Sequence, residues 1–159
     1  MSVAIETEAR SFVLLRLGER RFALAAADIA ELVAPTRVFR FPHNTPEIEG
    51  VILRRGRIVP VCDVAERLTG QRLKSRRLYL IALRRYEGKA EWVALPVTGE
   101  CELITVEMSA ASAADSPHVA GWLSHAGDVI EVLNLEGLTP GPSCIAAPVP
   151  ALAAEEARP

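Results

Sequence analysis

Apolar positions in this chain fall in short, partly alternating runs, the pattern of half-buried strands rather than of long helices. Phe12-Val13-Leu14-Leu15-Arg16-Leu17 and Arg21-Phe22-Ala23-Leu24 flank Gly18-Glu19-Arg20, which predicts a hairpin. The alanine-rich stretch from residue 25 predicts a helical turn or two, returning to strand at Glu31-Leu32-Val33 and stopped by Pro35. Val38-Phe39-Arg40-Phe41 alternates and predicts a further strand, followed by a loop over residues 42–46. Gly50-Val51-Ile52-Leu53 and Ile58-Val59-Pro60-Val61-Cys62 read as strands joined through Arg54-Arg55-Gly56-Arg57. Asp63, with Glu66 three residues on, has capping-box spacing and predicts a short helix to Leu68. Further strands are expected at residues 78–83, 91–97, 102–106, 120–124 and 128–133.

The chain repeats itself. Displaced by 71 residues without a gap, Ala23-Leu24 falls on Ala94-Leu95 and Glu31-Leu32-Val33 on Glu102-Leu103-Ile104. Gly50 falls on Gly121, and Gly56 to Val64 falls on Gly127 to Leu135. The expected architecture is therefore mainly β: two similar β units of about five strands, packed as a pair of small barrels with short helices. Each unit is marginal alone and needs a shared seam. The first is expected over residues 10–70 and the second over 76–138, followed by a flexible Pro/Ala-rich tail at 141–159. The repeat also acts as an internal control. His125, Ala126 and Asp128 stand where the first unit has Arg54, Arg55 and Arg57, so the turn itself does not require arginine.

Composition narrows the classes of function. The 159 residues carry a formal net charge of −2, with a pI near 6.0, which disfavours a nucleic-acid partner. Cys62, Cys101 and Cys144 form neither a disulfide framework nor a CxxC pair, and read as reduced thiols in a cytosol. The acidic start is unlike a signal peptide, and no apolar run approaches the roughly 20 residues that span a bilayer. His43, His118 and His125 give no zinc ligand spacing, and neither a nucleophile elbow nor a phosphate loop is present. No enzyme, metal or cofactor is expected. Cys62 reads as an inert strand thiol, Trp92 and Trp122 as core anchors, and Arg54 and Arg57 as solvated. Arg55 is open to two readings, donation to backbone carbonyls of its own turn or contact with a partner.

The run from Gly50 to Val64, GVILRRGRIVPVCDV, resembles the CheW-like domain family, whose signature is Gly-Val-x-Asn-Leu-Arg-Gly-x-Ile-Val-Pro-Val-x-Asp-Leu. The resemblance extends over residues of about 10 to 140. It implies two SH3-like five-stranded barrels about a shared interface, in a non-enzymatic adaptor that couples chemoreceptor hairpin tips to the regulatory domain of a CheA-type histidine kinase. It implies a cytoplasmic protein recruited to membrane-associated arrays without inserting in the membrane, and with little self-association. Carried over by position, Gly50, Arg55 and Gly56 match the signature, and Arg54 and Arg57 flank its Arg-Gly. Ile29 and Glu31 match a Val-x-Glu of the first barrel, and Val38 the strand after it. All eight are expected at partner contacts. Leu53 and Arg54 replace the usual Asn and Leu, which points to the alternative of a non-flagellar array serving surface sensing, pili or second-messenger output.

Overall fold

The computed structural model describes residues 9–40, 47–86, 88–111 and 116–139. The expected loop at 42–46, His43, Phe41, Cys144 and the tail at 141–159 lie outside the described residues.

The first hairpin forms as read, with β1 (Arg10–Leu17) and β2 (Arg20–Ala25) joined at Gly18, whose φ is 67°. A single 3-10 turn at Ala26–Asp28 leads to β3 (Ile29–Val33). The hairpin of β4 (Ile48–Arg54) and β5 (Arg57–Cys62) precedes α1 (Ala65–Thr69). Asp63 is not the N-cap of that helix. Val64 is, and Asp63 instead accepts from the Ala65 N–H at 3.0 Å, leaving its other oxygen for Arg76 at 2.8 Å. The second half supplies β6 (Leu78–Tyr86), β7 (Lys89–Val97), β8 (Glu102–Val106) and the short β9 (Met108–Ala110). It ends with β10 (Val119–His125), β11 (Asp128–Leu133) and α2 (Leu135–Leu138), which Asn134 caps through the Glu136 N–H. No strand had been expected at β9. Conversely, the strand expected at Val38–Phe41 shows, over its described residues 38–40, one bridge, Phe39 to Val51.

The strands form two sheets, in the orders β8-β1-β2-β11-β10-β9 and β3-β6-β7-β5-β4. Moved forward by one repeat, β3, β5 and β4 become β8, β11 and β10, and β7 moved back by one repeat becomes β2. With β1 as the partner of β6, the second order then reproduces the first. β9 has its own counterpart in the Phe39 bridge, since both lie against the middle of the longer hairpin strand. The repeat is therefore a repeat of whole sheets, but the sheets do not follow the chain halves. β1 and β2 from the first half pair with β8 and β11 from the second, while β6 and β7 join β3, β5 and β4. Neither sheet is built from residues 10–70 or 76–138 alone, as a simple tandem would require. Equivalent strands present the same pattern of apolar side chains, so exchanging hairpins between halves preserves each sheet's contacts.

Three clusters of buried side chains result. Phe12, Leu14, Ile104, Leu123, Ile130 and Val132 fill the first sheet, and Val33, Ile52, Val59, Val61, Tyr79 and Ile81 fill the second. The third cluster is the seam, where Leu15, Phe22 and Leu24 meet Ile48, Leu80, Val93 and Leu95. A buried cation crosses near it. Arg84 on β6, 4% exposed, donates to Thr139 Oγ1 at 2.8 Å and to the carbonyls of Glu136 and Thr139, both at 3.2 Å. It thereby ties β6 of one sheet to the helix that follows β11 of the other. Trp92 and Trp122 are only half-buried, Trp92 leaning on the core of the second sheet. Among the described residues no helix is long and apolar enough to cross a membrane.

Candidate functional site

The β4–β5 hairpin turns on Arg55 and Gly56, with φ values of 53° and 75°. Two consecutive positive φ angles make a primed two-residue turn, whose twist matches that of the flanking strands. In the repeat, Ala126 and Gly127 adopt 53° and 84°. The conformation therefore does not single out arginine, and Arg55 is free to serve another purpose.

Strand alternation separates the side chains around the turn. Ile52 and Val59 are buried, so Arg54 and Arg57, two residues away on the same faces, lie at the mouth of the barrel. Leu53 and Ile58 pair across the hairpin on the outward face, 59% and 68% exposed. At the mouth, Arg54 grips Glu31 with two hydrogen bonds, Nε to Oε2 at 2.8 Å and Nη2 to Oε1 at 3.0 Å. Arg55 approaches the same carboxylate only at 3.4 Å. The Arg54 fork holds the Glu31 carboxyl below its usual range, with partial desolvation opposing and Arg55 adding a smaller pull. β3 and β4 are the two outer strands of their sheet, so this pair closes the barrel edge to edge. In the other sheet His125 on β10 and Glu102 on the outer strand β8 stand at the matching positions, 3.9 Å apart, beyond hydrogen-bond distance.

Of the eight residues expected at partner contacts, the structure thus gathers Glu31, Arg54 and Arg55, with Gly56 shaping their turn. Arg54 is ion-paired rather than solvated. Arg57 also has a protein partner, lying 4.5 Å above the Trp92 ring. Arg55 is 67% exposed, against 37% for Arg54 and 16% for Glu31, and its hydrogen-bond partner is the carboxylate, not a carbonyl of its own turn. Gly50 and Val38 meet elsewhere. A Cβ on Gly50 would stand 2.4 Å from the Phe39 carbonyl oxygen and 2.9 Å from Val38 Cγ1, so close approach and not positive φ demands glycine. Ile29 packs, half-buried, against the seam cluster.

A second surface lies apart from the hairpin. Between the sheets runs a groove of about 250 Å³, with a floor of Phe12, Leu24, Leu83, Met108, Val132 and Leu135. Arg10, Asp28, Arg85 and Glu136 stand around it, Arg85 and Asp28 paired at 3.4 Å. None of the hairpin arginines lines this groove. The pairing of two arginines, 84 and 85, inside an otherwise apolar strand was the signal for it: one faces the α2 clasp and the other the rim. Cys62 is buried and its thiol is pushed up to about 12, while burial also raises Cys101.

A family model described as the CheW-like domain matches residues 11–140. Among solved structures, the chain is similar to the scaffolding protein TtCheW from Thermoanaerobacter tengcongensis, with a TM-score of 0.70 and 22% identity. That match covers 85% of this chain and 95% of the other. No curated protein matches the sequence. With the signature run on the β4–β5 hairpin and the family model spanning both sheets, the chain belongs to the CheW-like domain family.

Proposed function

We propose that the protein is a non-enzymatic adaptor that couples chemoreceptor tips to a CheA-type histidine kinase. The observation that carries this reading is the presence of two separate surfaces on one fold. One is the arginine hairpin with its exposed Leu53–Ile58 pair, and the other is the apolar groove between the sheets. An adaptor needs two such surfaces and needs no chemistry between them.

The groove suits the apolar face of a receptor's helical hairpin, with Arg10, Asp28, Arg85 and Glu136 setting register. The β4–β5 hairpin suits the regulatory domain of the kinase, a barrel of the same family. Each contact is small, below about 800 Å² per partner, and array strength comes from many linked contacts. Signal then passes as a change in the relative pose of receptor and kinase, at the cytoplasmic face of the membrane. The replacement of the signature's Asn-Leu by Leu53-Arg54 favours a partner set distinct from that of flagellar chemotaxis.

The test is assembly of a ternary complex from the purified chain, a kinase regulatory domain and a receptor hairpin fragment encoded near its gene. Arg55→Glu is expected to lose the kinase domain and keep the receptor fragment. Arg85→Glu, at the groove rim, is expected to do the reverse. Loss of both partners by either folded variant would argue for one shared surface and against this reading.

A further inference from the structure

We propose that Arg54 determines the specificity of the hairpin by occupying Glu31, so that Arg55 is presented to a carboxylate on the partner protein. The inference rests on the adaptor reading above and adds to it the chemistry of the contact. Three observations meet here. Arg54 engages both oxygens of Glu31 at 2.8 and 3.0 Å, the fork geometry that makes arginine–carboxylate pairs strong and directional. Arg55 reaches those oxygens only at 3.4 Å and remains two-thirds exposed. The first sheet has only His125 at the position of Arg54, 3.9 Å from Glu102, and has Ala126 at the position of Arg55. Arg54 alone supplies both short hydrogen bonds to Glu31. Two guanidinium groups face one carboxylate at this mouth, and the surplus charge sits at the tip of the turn.

The surface beside that charge is the Leu53–Ile58 pair. A complementary partner presents an apolar patch bearing an Asp or Glu that takes the tip of Arg55. Without Arg54, the Glu31 carboxylate is free to turn to Arg55 and compete with the partner's carboxylate from within the chain. Arg54 thus acts through Arg55 and need not touch the partner.

The competition makes a prediction that direct contact does not: rescue. Binding of the full chain to the regulatory domain of the kinase encoded nearest its gene is measured by calorimetry, with circular dichroism on every variant. Arg55→Glu should abolish binding. Arg54→Leu should weaken it about threefold to fivefold, the range of an exposed ion pair. The double variant Arg54→Leu with Glu31→Gln should return to wild-type affinity, because the competitor is gone. A double variant no better than Arg54→Leu overturns the proposal, as does Arg54→Leu binding like wild type. If Arg54→Leu does not fold, Arg54→His replaces it, copying the His125–Glu102 arrangement. A partner-free measurement keeps the two readings apart. Nitrogen relaxation at Arg55 Nε should show a mobile side chain in wild type and an ordered one in Arg54→Leu. Equal mobility in both sinks the proposal whatever binds, whereas failure of wild-type protein to bind, with that change in mobility present, counts against the adaptor reading alone.

Discussion

At the scale of single residues, the two repeat-related glycines show how tightly the hairpins are packed. A Cβ at Gly50 would meet the Phe39 carbonyl oxygen at 2.4 Å, and one at Gly121 would meet that of Ser109 at the same distance. The obstructing atoms are backbone, which cannot swing aside as a side chain end would. Gly50→Ala is expected to destabilise by about 1–3 kcal/mol, and Gly121→Ala by a similar amount, read from urea unfolding. A neutral result at either site would mean that the flanking bridge gives way freely. The Glu31 carboxylate offers a second handle. Its folded-state pKa lies below the usual 4.5, first because of the Arg54 hydrogen bonds. A depressed carboxylate stabilises the fold at pH values above 4.5, and that contribution is lost as pH falls through the folded-state value. Glu31→Gln should therefore be less stable than wild type near neutrality, with the gap narrowing under acid. A gap that stays constant across pH would detach the effect from ionisation.

At the scale of elements, the β4–β5 hairpin and its repeat, β10–β11, are the same device carrying different cargo. Both turn on a non-glycine residue at φ 53° followed by glycine at 75° or 84°. Gly56→Ala should cost about 1 kcal/mol, since a Cβ is disfavoured at that φ even though the space around it is open. Arg55→Ala should leave thermal stability close to wild type, because Ala126 already occupies the matching position. A large loss would show that Arg55 holds the barrel mouth after all. These hairpins were legible in the sequence because their signals are local: alternation, a turn pair containing glycine, and a polar residue at the strand end. The Glu31–Arg54 pair was not, because its members stand on the two outer strands and meet only when the sheet curls. One signal for it was available. Glu31 recurs as Glu102 and Arg54 is matched by His125, so an acid and a base recur together at both mouths. The β9 strand escaped notice for a different reason, having only three residues and a single neighbour, β10.

At the scale of the whole molecule, the exchange of strands between the two halves governs how the protein can come apart. The 71-residue repeat reveals that there are two sheets but not which hairpin belongs to which, since equivalent strands satisfy either arrangement. In the fold, β1 and β2 pair with β8 and β11, and β5 pairs with β7, so each sheet requires both halves of the chain. The seam cluster adds side chains from both sheets, and Arg84 fastens β6 to α2. A tandem of independent barrels would unfold in two steps and could be cut at the connection near residue 73 into two folded pieces. The exchanged arrangement instead makes the two sheets one cooperative unit. Residues 1–73 and 74–159, produced separately, are each expected to lack the near-ultraviolet dichroism of a packed core. Mixed, they should recover it, because the pairings of β1 with β8 and of β5 with β7 form between the fragments. The intact chain should show coincident transitions for probes in either sheet, and Arg84→Met should lower both together, by about 2–4 kcal/mol, without separating them. Two resolved transitions in the wild-type protein, or a folded fragment on its own, would contradict the exchange. A single transition would mean that groove and arginine hairpin are held on one rigid body, the condition under which a pose imposed at one surface is felt at the other.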